Sequence, residues 1–94
     1  MIVNVMEEHV RAAYDRLKGT ARDFIDTPAH REDVIVYALN RLPPKYVVGD
    51  QGKAVTGASL DEPQHRTAID VKVIEAFARV ARMPRDAGGA YPRG

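Results

Sequence analysis

Ala38-Leu39-Asn40-Arg41-Leu42-Pro43-Pro44-Lys45-Tyr46-Val47-Val48 is the stretch in which one kind of structure ends and another begins. On its upstream side Val34, Ile35, Ala38, Leu39 and Leu42 fall at helical spacing and mark one apolar face. Thr27-Pro28 gives that helix its start, a capping hydroxyl followed by a proline at a position whose amide has no helical partner. Pro43 and Pro44 end it, because each lacks an amide and each disfavours helical geometry in the residue before it. A helix over about 28–42 follows. Downstream, Lys45 to Val48 is β-prone, Gly49-Asp50-Gln51-Gly52 reads as a turn, and Lys53 to Thr56 follows it. The expectation is a short β-hairpin over about 45–56, too small to stand without packing on helices.

Working outward, Met6, Val10, Ala13, Tyr14 and Leu17 recur three and four residues apart and predict a first helix over about 4–18. Asn4 followed by Glu7 resembles a capping box, Gly19 supplies a stop, and Glu7, Arg11 and Asp15 place opposite charges four apart on the exposed face. Residues 20–27 read as a connection that turns Phe24 and Ile25 inward. Ser59 with Glu62 again has capping-box spacing, and Ile69, Val73, Ile74, Phe77 and Val80 predict a third helix over about 60–82, stopped by Met83-Pro84. The fold class is mainly α: three principal helices and one small hairpin in a single domain over 1–85. Residues 86–94, rich in glycine, read as a flexible tail.

Composition narrows the function. A chain of 94 residues supports one core, and with two Phe and no Trp that core is short of aromatic area, so association as a homodimer would help it. No cysteine is present, which excludes disulfides, thiolate metal sites and thiol nucleophiles. The acidic start, with Glu7 and Glu8, is not that of a signal peptide, and no apolar run is long enough to span a bilayer, so a cytoplasmic protein is expected. A formal net charge of +1 is far from that of a dedicated nucleic-acid binder.

Candidate chemistry is sparse. His9, His30 and His65 lack metal-ligand spacing, and no metal or cofactor is expected. The paired carboxylates Glu7-Glu8, Glu32-Asp33 and Asp61-Glu62 lie near helix starts, where the dipole favours them, and no phosphate-binding glycine signature occurs, so no enzyme is indicated. The diproline corner stands apart. It surrounds a stiff turn with Asn40, Arg41, Lys45 and Tyr46, groups that can bond an amide edge, meet phosphate and stack on a base. The same residues also suit a plain helix stop, with Arg41 facing the helix dipole and Tyr46 packed. Arg66, early in the third helix where the dipole does not favour a cation, is a further anion-binding candidate with Gln64 and His65.

Asn4-Val5-Met6-Glu7-Glu8, the segment from Asp33 to Val48 containing ALNRLPPKYVV, and a long last helix ending in Met83-Pro84-Arg85 resemble the late competence development protein ComFB family. The ALN-x-LPPKY run is the specific part. The resemblance implies a small helical, dimerising, non-enzymatic receptor for cyclic dinucleotides, cyclic di-GMP or cyclic di-AMP, that signals to an as yet unidentified downstream protein. On motif and chemistry together, Asn40, Arg41, Lys45, Tyr46 and Arg66 are the candidate ligand-binding residues. Some members carry a zinc-binding cysteine cluster between the first two helices; here that segment is Arg22-Asp23-Phe24-Ile25-Asp26-Thr27-Pro28-Ala29-His30, and zinc is not expected. Two other classes stay open: a helical protein-interaction adaptor, and direct binding of DNA or RNA by the basic end of the third helix.

Overall fold

A computed structural model of the chain describes residues 1–82. Strand β1 (Ile2–Asn4) leads into helix α1 (Val5–Leu17), and a 3-10 turn (Lys18–Thr20) and an extended loop lead to helix α2 (Pro28–Leu39). Strand β2 (Tyr46–Val48), helix α3 (Gly49–Leu60) and helix α4 (Pro63–Arg82) complete the order. Helices α1, α2 and α4 enclose the core, formed by Val5, Met6, Val10, Ala13 and Tyr14 of α1, Val34, Ile35 and Ala38 of α2, and Ile69, Val73, Ala76, Phe77 and Val80 of α4. Each set keeps the three- and four-residue spacing that the sequence carries. The expected Thr27 cap is present, its hydroxyl accepting from the His30 amide at 3.1 Å with Pro28 just inside the helix.

Several expectations need correction. The hairpin over 45–56 does not form. Tyr46–Val48 instead pairs antiparallel with Ile2–Asn4, in register Ile2 to Val48 and Asn4 to Tyr46, and residues 49–60 are helical. Three residues at the chain start are too few to announce a strand, yet they supply the ladder bonds that a local hairpin would have supplied. Gly49 adopts φ +82° and turns the chain out of β2 directly into α3, a conformation that glycine reaches without strain. The third predicted helix is α4, which begins at Pro63 rather than at about residue 60, because Leu60 is the buried last residue of α3 and Asp61 caps it. Ser59 acts through its carbonyl rather than its hydroxyl, accepting from the Glu62 amide at 3.1 Å and lying 3.0 Å from His65 Nδ1. Finally, Phe24 packs inward but Ile25 is exposed, as is Ile74 on the solvent side of α4. Helix α2 is shorter than expected, with Arg41 and Leu42 closing tighter turns onto Ala38 and Leu39 before the prolines. The expected stop at Met83-Pro84 and the tail over 86–94 lie outside the described residues.

Tyr14 organises the centre of the core. Its ring is fully buried, 5.2 Å from the Phe77 ring and 6.0 Å from that of Phe24, while the Arg31 guanidinium lies 5.1 Å over its face. Its hydroxyl donates to the Asp26 carboxylate, and Lys18 pairs with that carboxylate at 3.4 Å. Burial, then the bond and charge of Asp26, push the Tyr14 hydroxyl well above the usual phenol range. The same bond, with help from Lys18, holds Asp26 below the ordinary carboxylate range. The loop over 20–27, which contains Asp23 at φ 60°, is thus drawn onto the core by one buried phenol.

Two outcomes follow. Tyr14→Phe should cost about 1 kcal/mol in urea denaturation at neutral pH. Because Asp26 titrates below its unfolded value, the stabilising bond is fully present above about pH 4 and is lost as pH falls further, so the gap between wild type and variant should narrow in acid. Separately, a Cβ at Gly57 in α3 would sit 3.6 Å from His9 Cε1, an ordinary contact. Gly57→Ala should therefore stabilise the protein by roughly 0.5–1 kcal/mol, read in the same assay.

Candidate functional site

The Asn4 carboxamide ties the diproline corner to the start of α1. Asn4 Oδ1 accepts from the Met6 amide at 3.2 Å, capping α1, and from the Lys45 amide at 2.8 Å, tying the corner to the helix start. The Val5 amide donates to the Lys45 carbonyl at 2.8 Å alongside it. The sequence signal at Asn4 was a capping box; the cap forms, but Glu7 turns to Arg11, whose Nε and Nη2 reach Glu7 Oε1 at 3.3 and 3.2 Å.

Between this ribbon and the end of α2 lies an open groove of about 680 Å³, within the ~300–1,000 Å³ range usual for small-molecule sites. Asn4, Glu7, Asn40 and Tyr46 give it polar groups, and Ile2, Leu39, Leu42 and Pro44 give it apolar surface. Tyr46 is 66% exposed, so its ring is presented rather than packed, and it offers a face for stacking. Asn40, capping the end of α2, and Tyr46, at the start of β2, thus share one surface across the diproline corner.

The other candidates stand differently. Lys45 is exposed and sits between the lining residues Pro44 and Tyr46. Arg41 lies next to Asn40, but its guanidinium stacks 3.6 Å from the Tyr37 ring centroid and donates to the Tyr37 carbonyl at 3.2 Å, which matches the helix-end role that the sequence also allowed. Arg66 is not brought to this groove. It lines a separate recess of about 150 Å³ with His9, Arg16, Leu60, Asp61 and Asp70, where Arg16 and Asp70 are paired at 2.6 Å. The cause is the break at Asp61, which starts α4 beside the middle of α1 and away from the corner.

Two polar residues of the groove are not singled out by sequence as ligand-facing: Asn4 and Glu7. Both were legible as cap residues, and nothing local says that the end of α2 comes to lie against them. His9, His30 and His65 are not idle surface groups either. His9 links α1 to α3, with Nε2 3.2 Å from the Gly57 carbonyl and 3.4 Å from Asp61, while His30 Nδ1 lies 2.9 Å from the Ile25 carbonyl. Among the described residues no three His, Asp or Glu side chains converge as a metal ion would need, and no helix is long and apolar enough to cross a membrane.

Asn4→Ala removes both bonds of the carboxamide. It should cost about 1–2 kcal/mol in chemical denaturation, whereas Asn4→Asp, which keeps an acceptor at the helix start, should cost less.

The family model described as late competence development protein ComFB matches residues 3–84. The competence protein ComFB of Bacillus subtilis (strain 168) is 30% identical over 86 residues, spanning 92% of this chain and 88% of that protein. The solved structure of the late competence protein ComFB from Bacillus subtilis aligns with a TM-score of 0.83 at 30% identity, covering 93% of this chain and 96% of the other. Sequence and fold thus agree over the ribbon, the corner and the helices together, and the chain belongs to the ComFB family.

Proposed function

We propose that this ComFB-family protein is a non-enzymatic cytoplasmic receptor for a cyclic dinucleotide, cyclic di-GMP or cyclic di-AMP, and that it works as a homodimer signalling to a downstream protein. The observation that carries the reading is the groove at the diproline corner, where an exposed aromatic ring and two carboxamides share one surface with Lys45 and Arg41 immediately beside it. A cyclic dinucleotide presents two purines and two phosphates. The groove offers stacking and amide contacts suited to a purine, and the neighbouring cations suit phosphate. The stiff Pro43-Pro44 turn keeps these groups in place before ligand arrives, which lowers the ordering cost of binding. Arg66, in its own recess, is not assigned to this site. The dimer reading has physical support in α4, where Thr67, Val71, Ile74, Ala78 and Ala81 form an exposed, largely apolar line at alternating four- and three-residue spacing.

Calorimetric titration of the purified protein with each cyclic dinucleotide tests the reading. Micromolar or tighter binding is expected, weakened about tenfold by Tyr46→Ala, in line with the ~1–3 kcal/mol of base–aromatic stacking, and also weakened by Lys45→Ala. Both side chains lie outside the core, so circular dichroism should show both variants folded. No heat and no thermal stabilisation with either ligand would remove the receptor reading and favour an adaptor. Affinity for oligonucleotides of many sequences that falls steeply with salt would favour a nucleic-acid binder.

A further inference from the structure

Among the described residues that line the groove, Glu7 is the charged one, and it is acidic. A carboxylate there is out of place for phosphate, which it repels. It is well placed for a group that donates two hydrogen bonds side by side. Arg11 takes Glu7 Oε1 with both Nε and Nη2 and is itself 3.6 Å from Glu32, so the carboxylate is braced from its helix side at one oxygen. An ionised carboxylate has about four lone-pair sites, and Oε2 together with the remaining capacity of Oε1 can accept further bonds. Tyr46 and Asn40 line the same groove, so a purine stacked on Tyr46 lies in the space that Glu7 also borders.

Resting on the receptor reading above, we infer that Glu7 is a specificity-determining residue that selects guanine over adenine, making the preferred ligand cyclic di-GMP. The Watson–Crick edge of guanine carries two adjacent donors, N1–H and the 2-amino group, which match the two oxygens of a carboxylate. Adenine places an acceptor at N1 and has no 2-amino group, so the same carboxylate meets a lone pair instead of two protons. Leaving such partners unmatched is what makes polar recognition selective. The division of labour is then consistent with charge: base in the groove against Glu7, Asn40 and Tyr46, and phosphate toward Lys45 beside it.

The test is titration of the full chain with cyclic di-GMP, cyclic di-AMP and cyclic di-IMP, for wild type and Glu7→Gln, with folding checked by circular dichroism. Wild type should bind cyclic di-GMP at least roughly tenfold more tightly than cyclic di-AMP. Cyclic di-IMP, which keeps N1–H and lacks the 2-amino group, should fall between them. Glu7→Gln should weaken cyclic di-GMP by tenfold or more and leave cyclic di-AMP unchanged or improved. Equal binding of the cyclic dinucleotides by wild type, or equal weakening of all three by the substitution, would overturn the role of Glu7 while leaving the receptor reading intact. Binding of none of them would overturn both.

Discussion

The Asn4 carboxamide oxygen is the point on which the architecture of the site depends. By accepting from the Met6 and Lys45 amides together, it joins the start of α1 to a corner 41 residues later in the chain. Without that junction, β1 and β2 would be two three-residue strands, far below the size at which a ribbon holds itself. With it, the Val5 amide meets the Lys45 carbonyl, the register of the ribbon is set, and the groove against the end of α2 acquires its walls. The site is therefore a product of long-range closure, while the residues that line it are locally ordinary.

A second junction acts on the other side of the molecule. Tyr14 completes an aromatic cluster with Phe24 and Phe77, whose rings also meet at 4.8 Å, and reaches the loop over 20–27 through Asp26. Lys18 and Arg31 add positive charge around this pair, so a buried hydroxyl and a surface carboxylate are satisfied by the same few groups. The loop is cysteine-free, and this hydrogen-bonded and aromatic cluster ties it to the core together with the packing of Ala21. Stability in so small a chain thus leans on a few polar contacts at the edge of the core as well as on apolar burial.

Much of this was legible because it is periodic or because it is punctuation. The apolar stripes of α1, α2 and α4 are visible at three- and four-residue spacing, and Thr27-Pro28 and Pro43-Pro44 bracket α2 in plain view. What was hidden is whatever depends on a distant partner. Ile2-Val3-Asn4 gains its strand identity only from Tyr46-Val47-Val48, and α3 carries Gly49, Gly52 and Gly57, residues that argue against a helix wherever propensity alone decides. Tertiary contacts decide there instead: Lys53 to Glu8 at 2.7 Å, His9 to Gly57, and the burial of Leu60. For the same reason Asn40 and Tyr46 could be named from the corner, while Glu7, on another helix, could not, and Arg66 was grouped with residues from which the break at Asp61 separates it.

Helix α3 holds its place through its neighbours more than through its own sequence. Its first turn has no side-chain cap, Leu60 is its buried residue, and three of its twelve positions are glycine, so little of its folding free energy is its own. What fixes it against α1 is the insertion of Leu60 into the core together with the Lys53–Glu8 and His9–Gly57 contacts. Because Gly49 joins it to β2 with no intervening loop, those contacts also anchor one end of the strand that carries Tyr46. The helix least stabilised by its own sequence is thus covalently continuous with one wall of the groove.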